Sequence, residues 1–443
     1  MNDIEKKQIS LILKVKKYLF LLKQIGIDTS KSSFCYFSTY GINPGQAKLL
    51  LWLKKNNSKI NYFKTIIIHI LAISSLQNYI TTKYATRKYD NLFLTWGRKS
   101  HFNKNYFSDN FLKTRSDNFK NSIFFVIYLD RDLPKTIPSN VILFHKINKS
   151  RSILFLCKII IQTIIKSNFN LNKIFHYLSS QTVFAELLNE KIIKIQSDTN
   201  FKKIIMPYEG QPYQNFVIQN LKNKITNFKS IGVIHSILPA LPLNLTKREG
   251  SPSYIYVSGD AQKKVLMKYF GWKEKQIILT KSLRFNKKLD KKILGSIFFP
   301  INLNDVNKIS TYFEKFLISS KEKSLPIMKI RNHPQMLDSV NHQLLEVYLN
   351  KLLKKYKNKF SRKVKKNICL FIGTTSAVIE FLEKNVFIVH LSIYNEFDIY
   401  TRKIWSVIDT SIKNKVFYYE IKKKNKLVKL SDNSYSFKKL NII

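Results

Sequence analysis

The sequence predicts an α/β protein in which two doubly wound domains face one another across a cleft, behind a helical N-terminal segment. Three observations carry this. Short continuous apolar runs recur between residues 91 and 389, as expected of strands covered on both faces by helices. Helix-length segments separate the runs. Polar clusters stand just after several of them, where an open parallel sheet places its ligands.

Residues 1–85 read as helices, from apolar residues at i, i+3 and i+4 spacing in Ile9, Ile12 and Leu13, in Tyr18, Leu21 and Leu22, and in Leu49, Trp52 and Leu53, with Gly41 to Gly45 as a turn. A first Rossmann-like domain is predicted over 86–245, with strands at 91–97, 123–129, 141–144, 203–207 and 230–234. Helices at about 151–168 and 171–196 interrupt them. Pro239, Pro242, Gly250 and Pro252 mark a link. A second domain is predicted over 250–405, with strands at 254–257, 276–279, 293–300, 327–330, 368–372 and 386–389. Its helices fall at about 261–270 and 305–319. Residues 406–443 read as a C-terminal tail.

Of 443 residues, 44% are apolar and 13% aromatic, so the chain is ordered and large enough to bury a sizeable core. The formal net charge of +48 would ordinarily point to nucleic acid. Here the charge is Lys scattered among Asn and Ile, Arg is sparse, and no zinc-finger, zipper or RNP pattern appears. Nucleic acid is therefore not the expected partner. An anionic membrane surface fits better, since each Lys near one adds about 1 kcal/mol. Cys35, Cys157 and Cys369 are too few and too scattered for a disulfide framework or a zinc site, and fit a reducing compartment.

Met1 to Lys7 are polar and charged, without the pattern of a signal peptide. The apolar stretches from Thr65 to Leu76 and from Ile153 to Ile165 fall short of the roughly 20 residues of a spanning helix, so buried helices are expected. The expected location is cytoplasmic, with peripheral contact at the inner membrane as the alternative.

Glu209 and Gly210 follow the strand at 203–207, where a carboxylate can act as a general base or can cap the next helix. His235 and Ser236 follow the strand at 230–234, where the imidazole can meet a phosphate or an acceptor, or can be a hydrogen-bonded core residue. Arg331 leads into His333 and Pro334, and the proline holds His333 extended at a strand end. Gly373, Thr374, Thr375 and Ser376 offer backbone N–H groups and hydroxyls to a phosphate, and Glu380 can accept from a ribose. The same residues would also make a simple helix cap. Ser258 and Gly259 are a second place for N–H contacts to the nucleotide, and Arg284 is an anion-binding candidate. No nucleophile elbow, metal-ligand spacing or Walker loop is present, so neither metal nor cofactor is expected. Chemistry by positioning and electrostatics is.

The motifs Tyr208-Glu209-Gly210, Ile234-His235-Ser236, Val257-Ser258-Gly259, Ser282-Leu283-Arg284, His333-Pro334 and Thr374-Thr375-Ser376-Ala377-Val378-Ile379-Glu380, in that order, resemble bacterial surface carbohydrate biosynthesis proteins of GT-B glycosyltransferase fold. The likeness runs over about residues 90–400 and is similar to sialyltransferases and capsule polymerases. It implies a nucleotide-sugar donor and a glycan or lipid-linked acceptor. It implies Glu209 as base, His333 on the donor phosphate, Thr375 and Ser376 as the phosphate-binding hydroxyl pair, and Glu380 on the ribose. Tyr208 stands where the family's first acid would, so UDP and GDP sugars stay open beside CMP sugars. A CDP-polyol phosphotransferase and a non-catalytic assembly protein are the alternatives.

Overall fold

The computed structural model describes residues 1–32, 62–148, 150–170, 173–174, 177–288, 293–300, 303, 305–332, 336, 339–364, 367–422 and 426–432. The expected turn at 41–45, the helix through Leu49 and Trp52, and the pair His333 and Pro334 lie outside these residues.

Before residue 280 the chain forms strands β1 (Tyr79–Thr81), β2 (Asn91–Gly97), β3 (Ser108–Asp109), β4 (Thr114–Arg115), β5 (Ser122–Tyr128), β6 (Val141–Lys146), β7 (Lys203–Pro207), β8 (Lys229–Val233), β9 (Tyr254–Val257) and β10 (Ile277–Leu279). Eight of them make one sheet of order β1-β6-β5-β2-β7-β8-β9-β10, while β3 pairs with β4. Every neighbour in the large sheet is parallel except β1, which runs antiparallel along β6. All seven residues of β2 and of β5 are buried. Alternation sends Leu92, Leu94 and Trp96 to one side of the sheet and Phe93 to the other, which explains an unbroken apolar run.

The helices α1 (Asn2–Gln24), α2 (Tyr62–Ile73), α3 (Ile153–Lys166), α4 (Ser180–Thr199), α5 (Pro212–Lys224) and α6 (Asp260–Phe270) accompany this sheet. Ser179 caps α4 by accepting from Thr182 N–H, and Asn200 closes it at a φ of 55°.

The second sheet uses β11 (Ser296–Phe298), β13 (Lys329–Arg331), β15 (Ile368–Ile372), β16 (Phe387–Leu391), β17 (Ile408–Lys413) and β18 (Val416–Ile421), in the order β13-β11-β15-β16-β18-β17, while β12 (Leu325–Pro326) pairs with β14 (Phe360–Ser361). Its first four strands are parallel and its last two antiparallel. Helices α7 (Val306–Ser319), α8 (Val340–Lys355), α9 (Ala377–Glu383) and α10 (Asn395–Asp398) complete it. Cys369 and Phe371 of β15 belong to the same continuous core as Leu92 and Met206 of the first sheet. The fold is thus mixed α/β with mainly parallel sheets.

Several expectations are corrected. The Pro-rich stretch is not where the sheet changes: β9 and β10 continue the first sheet in parallel register with β8. That stretch is packed, with Trp405 Nε1 donating to Ala240 O at 2.9 Å and Tyr400 OH to Leu238 O at 3.1 Å. The segment read as a tail holds the hairpin β17–β18, which turns at Asn414 and Lys415 with φ of 52° and 67°. A two-residue turn with both φ positive suits strand twist, but without glycine it gives a weak signal. Helix α8 was not expected, and β1 stands where helix was.

Helix α1 and residues 426–432 both make hydrogen bonds that tie distant parts of the chain together. Gln8 of α1 is fully buried, donates to the carbonyls of Glu396 (3.1 Å) and Ile399 (2.8 Å), and accepts from Thr401 Oγ1 at 2.6 Å. Near the other end, Glu383 accepts the N–H groups of Leu427 and Val428, and Ser431 N–H donates to Phe285 O at 2.9 Å. Among the described residues no helix is long and apolar enough to cross a membrane.

Candidate functional site

The turn after β7 is built to hold Glu209. Gly210 has a φ of 68°, and a Cβ there would stand 2.2 Å from Asn244 O, so only glycine fits. Asn244 Nδ2 donates to Glu209 O at 2.6 Å, and Arg248 donates to Gly210 O at 2.6 Å. Gln214, in the first turn of α5, accepts the N–H groups of Glu209 (3.0 Å) and Gln211 (3.1 Å). Backbone and helix start are thereby locked together, and the carboxylate is left over.

That carboxylate has loose company among the described residues: Gln211 Nε2 at 3.5 Å from Oε2, and His235 Nε2 at 3.8 Å from Oε1. The second distance is beyond hydrogen-bond range. Desolvation raises the carboxyl above the usual range, with Gln211 lowering it in part. Its side chain nonetheless keeps 44% of its surface accessible. A carboxylate with a raised pKa and free lone pairs is suited to take a proton.

His235 follows β8, with its side chain 9% exposed. Phe111 meets its ring edge-on at 5.0 Å, and Nδ1 has no hydrogen-bond partner among the described residues. Burial and then the positive field of Arg284 hold its pKa down at about 3, so the imidazole is neutral at ordinary pH. Phe111 is itself positioned by Asp109, whose Oδ1 accepts the N–H groups of Phe111 (2.7 Å) and Leu112 (3.1 Å).

The second sheet delivers its residues to the same place. Ser376, after β15, shares a hydrogen bond of 2.9 Å with Ser236, which follows His235. Arg284 stands on a turn in which Ser282 Oγ accepts its N–H at 3.2 Å and that of Phe285 at 3.0 Å. Its guanidinium is exposed, acts electrostatically on both His235 and Glu380, and makes no ion pair among the described residues. Glu380 is raised chiefly by burial, against the effect of Lys384, whose Nζ lies 2.6 Å from its Oε1. Glu209, His235, Ser236 and Ser376 therefore form one neighbourhood, with Arg284 in electrostatic reach of His235 and of Glu380.

Other expected residues are employed elsewhere. Thr374 Oγ1 donates to the buried Asp398 at 2.5 Å, so its hydroxyl is not on offer to a phosphate. Gly373 has a φ of 60° and its carbonyl lies 2.8 Å from His390 Nε2, which makes it a turn residue. Thr375 Oγ1 accepts from Ala377 N–H at 3.3 Å, a capping bond that leaves the hydroxyl free to donate. Ser258 and Gly259 are covered: a Cβ on Gly259 would stand 1.9 Å from Leu427 O, Ala261 N–H donates to Lys426 O at 2.8 Å, and Ser258 O accepts from Lys429 N–H. Chain segment 426–429 thus fills that helix start. Arg331 donates to Ser296 Oγ at 2.7 Å within the second sheet. Asn244 and Arg248, which shape the Glu209 turn, were missed because the Pro-rich stretch read as a link. Among the described residues no group of three or more His, Cys, Asp or Glu side chains gathers to hold a metal ion.

No family model matches the chain. No curated protein matches it either. Among solved structures, a glycosyltransferase from Rickettsia africae ESF-5 is similar over 68% of this chain and 78% of its own, at 11% identity and a TM-score of 0.32. A variant of the wall teichoic acid polymerase TagF is similar over 76% of this chain and 75% of its own, at 9% identity and a TM-score of 0.30. Likeness at that level leaves function to rest on this chain's own residues.

Proposed function

We propose that the protein is an inverting glycosyltransferase of GT-B type, with two α/β domains facing across a cleft. It moves a sugar from a nucleotide donor, CMP-linked in the first instance and UDP- or GDP-linked otherwise, to a cell-surface polysaccharide or lipid-linked glycan at the inner membrane face. The supporting observation is the accessible yet desolvated Glu209 carboxylate, beside a neutral His235 and in one neighbourhood with Ser376, with Arg284 in electrostatic reach of His235.

In this reading the acceptor hydroxyl oxygen attacks the anomeric carbon and its proton passes to Glu209. The bond from that carbon to the phosphate oxygen breaks, and its electron pair leaves with the nucleotide. Arg284, with the hydroxyls of Thr375 and Ser376, receives the developing negative charge. Neutral His235 adds no positive charge to hold the Glu209 proton off, so the carboxylate stays basic. Glu380 keeps Oε2 for the ribose, and His333, with Pro334, is the sequence's candidate for the donor phosphate. One displacement with one base inverts the anomeric centre.

Isothermal titration with CMP-, UDP- and GDP-sugars tests this. Binding of one of them, weakened by Arg284→Ala, is the expected result. A folded protein that binds none of them would sink the reading.

A further inference from the structure

Helix α3 does not meet the expectation of a buried helix. Ile159 and Thr163 face inward, Ile159 sharing a cluster with Ile73 and Val183. At 3.6 residues per turn, Ile153, Leu154, Cys157, Ile161 and Ile165 share an arc of about 120° on the other side. All five are exposed, and the four aliphatic ones keep between 56% and 84% of their surface in solvent. Phe169 continues the strip at 77% exposure. Lys173 Nζ lies 3.3 Å from where a Cβ on Gly26 would stand, so this end adjoins the end of α1, where Phe20 and Ile25 are exposed. A contiguous apolar strip of this kind marks an interaction surface.

We infer that this face docks the protein on an anionic lipid surface, with α3 lying in the plane of the headgroups. The surrounding charge selects the partner. Arg151 and Lys158 rim the strip, while Lys166 lies farther round the helix and pairs with Glu186 at 3.7 Å, and no Asp or Glu occurs from Leu133 to Ala185. Arg151 and Lys158 make no ion pair among the described residues. A second copy docked by the same face would set these cations against themselves. Anionic headgroups satisfy them while acyl chains cover the isoleucines. With 14 residues α3 is about 21 Å long, too short to span but suited to lie flat.

The placement also suits the proposed transfer. β6 ends at the carboxyl edge of the sheet, the edge from which Glu209 and His235 project, and the chain enters α3 from there. The inference deepens that reading by naming the surface that meets a lipid-linked acceptor. Lipid binding needs no donor, so either can fail alone.

The test is co-sedimentation of the full chain with vesicles of phosphatidylglycerol and phosphatidylethanolamine, against vesicles of phosphatidylcholine. Binding to the anionic vesicles is expected, weakened by salt and reduced at least tenfold in Leu154→Glu/Ile161→Glu with nucleotide-sugar binding unchanged. A fluorophore on Cys157, in a Cys35→Ser background, should shift to the blue when those vesicles are added. Equal sedimentation by the double variant, no sedimentation with anionic vesicles, no shift, or a dimer in light scattering that the double variant dissolves would each overturn the inference.

Discussion

Glu209 Oε1 lies 3.8 Å from His235 Nε2, and the two are not an ion pair. Burial and Arg284 keep His235 neutral, with a pKa of about 3, while desolvation raises Glu209. A general base works when ionised, so turnover should climb as pH rises through the raised Glu209 pKa and level off above it. The acid limb of kcat is therefore expected above the 4.5 of an ordinary glutamate, with no further limb near the usual imidazole value of 6.5. A limb at or below 4.5, or one near 6.5 that disappears in His235→Asn, would contradict this.

Arg284 is the exposed cation of the site. Replacing it by Ala should weaken nucleotide-sugar binding by about 10- to 100-fold, the usual worth of a charged hydrogen bond. Arg284→Lys should recover only part of it, because the planar fork is lost. Calorimetry measures both, and unchanged affinity in the Ala variant would remove Arg284 from the site.

Gly210→Ala tests the turn that carries Glu209. The left-handed φ of 68° alone costs about 1–3 kcal/mol for a non-glycine residue, and the added Cβ would press on Asn244 O. Urea unfolding should show that loss. Turnover should fall further than stability explains, while donor affinity holds, because the carboxylate shifts and the phosphate side does not.

Asp109 is buried, and desolvation pushes its pKa up to about 6 against the opposing effects of the Leu112 N–H and the Thr95 hydroxyl. From 3.8 to about 6 the unfolded chain has released this proton and the folded one has not, so stability falls as pH rises across that window. The change is worth roughly 3 kcal/mol for a shift of this size. Asp109→Asn keeps the acceptor for Phe111 and Leu112 and removes the ionisation. Its unfolding free energy should therefore decline less between pH 4 and 6 than that of the wild type. Parallel declines would show that Asp109 does not titrate there.

The parts of this fold legible in the sequence are those whose signal is local. β2, β5 and β15 read as strands because burial on both faces leaves an unbroken apolar run. β17 was illegible because its residues 411–413 are exposed and its turn lacks glycine. In the candidate neighbourhood, Glu209, His235, Arg284 and Ser376 are legible in the sequence only as polar residues just beyond strands. Thr374 and Ser258 looked equivalent to them. What sets those two apart is distant in sequence: Asp398 takes the Thr374 hydroxyl, and Lys429 donates to the Ser258 carbonyl. The continuation of the first sheet through β9 was hidden for the same reason, since residues 400 and 405 bury the Pro-rich stretch that looked like a link.

The most direct test of the account is anomer-resolved NMR of product formed from CMP-, UDP- and GDP-sugars by the wild type and by Glu209→Gln. The account predicts a product of inverted configuration from one donor, with kcat lowered about 10²- to 10⁴-fold in the variant and donor affinity unchanged. A variant that turns over as fast as the wild type, or a product of retained configuration, would contradict it.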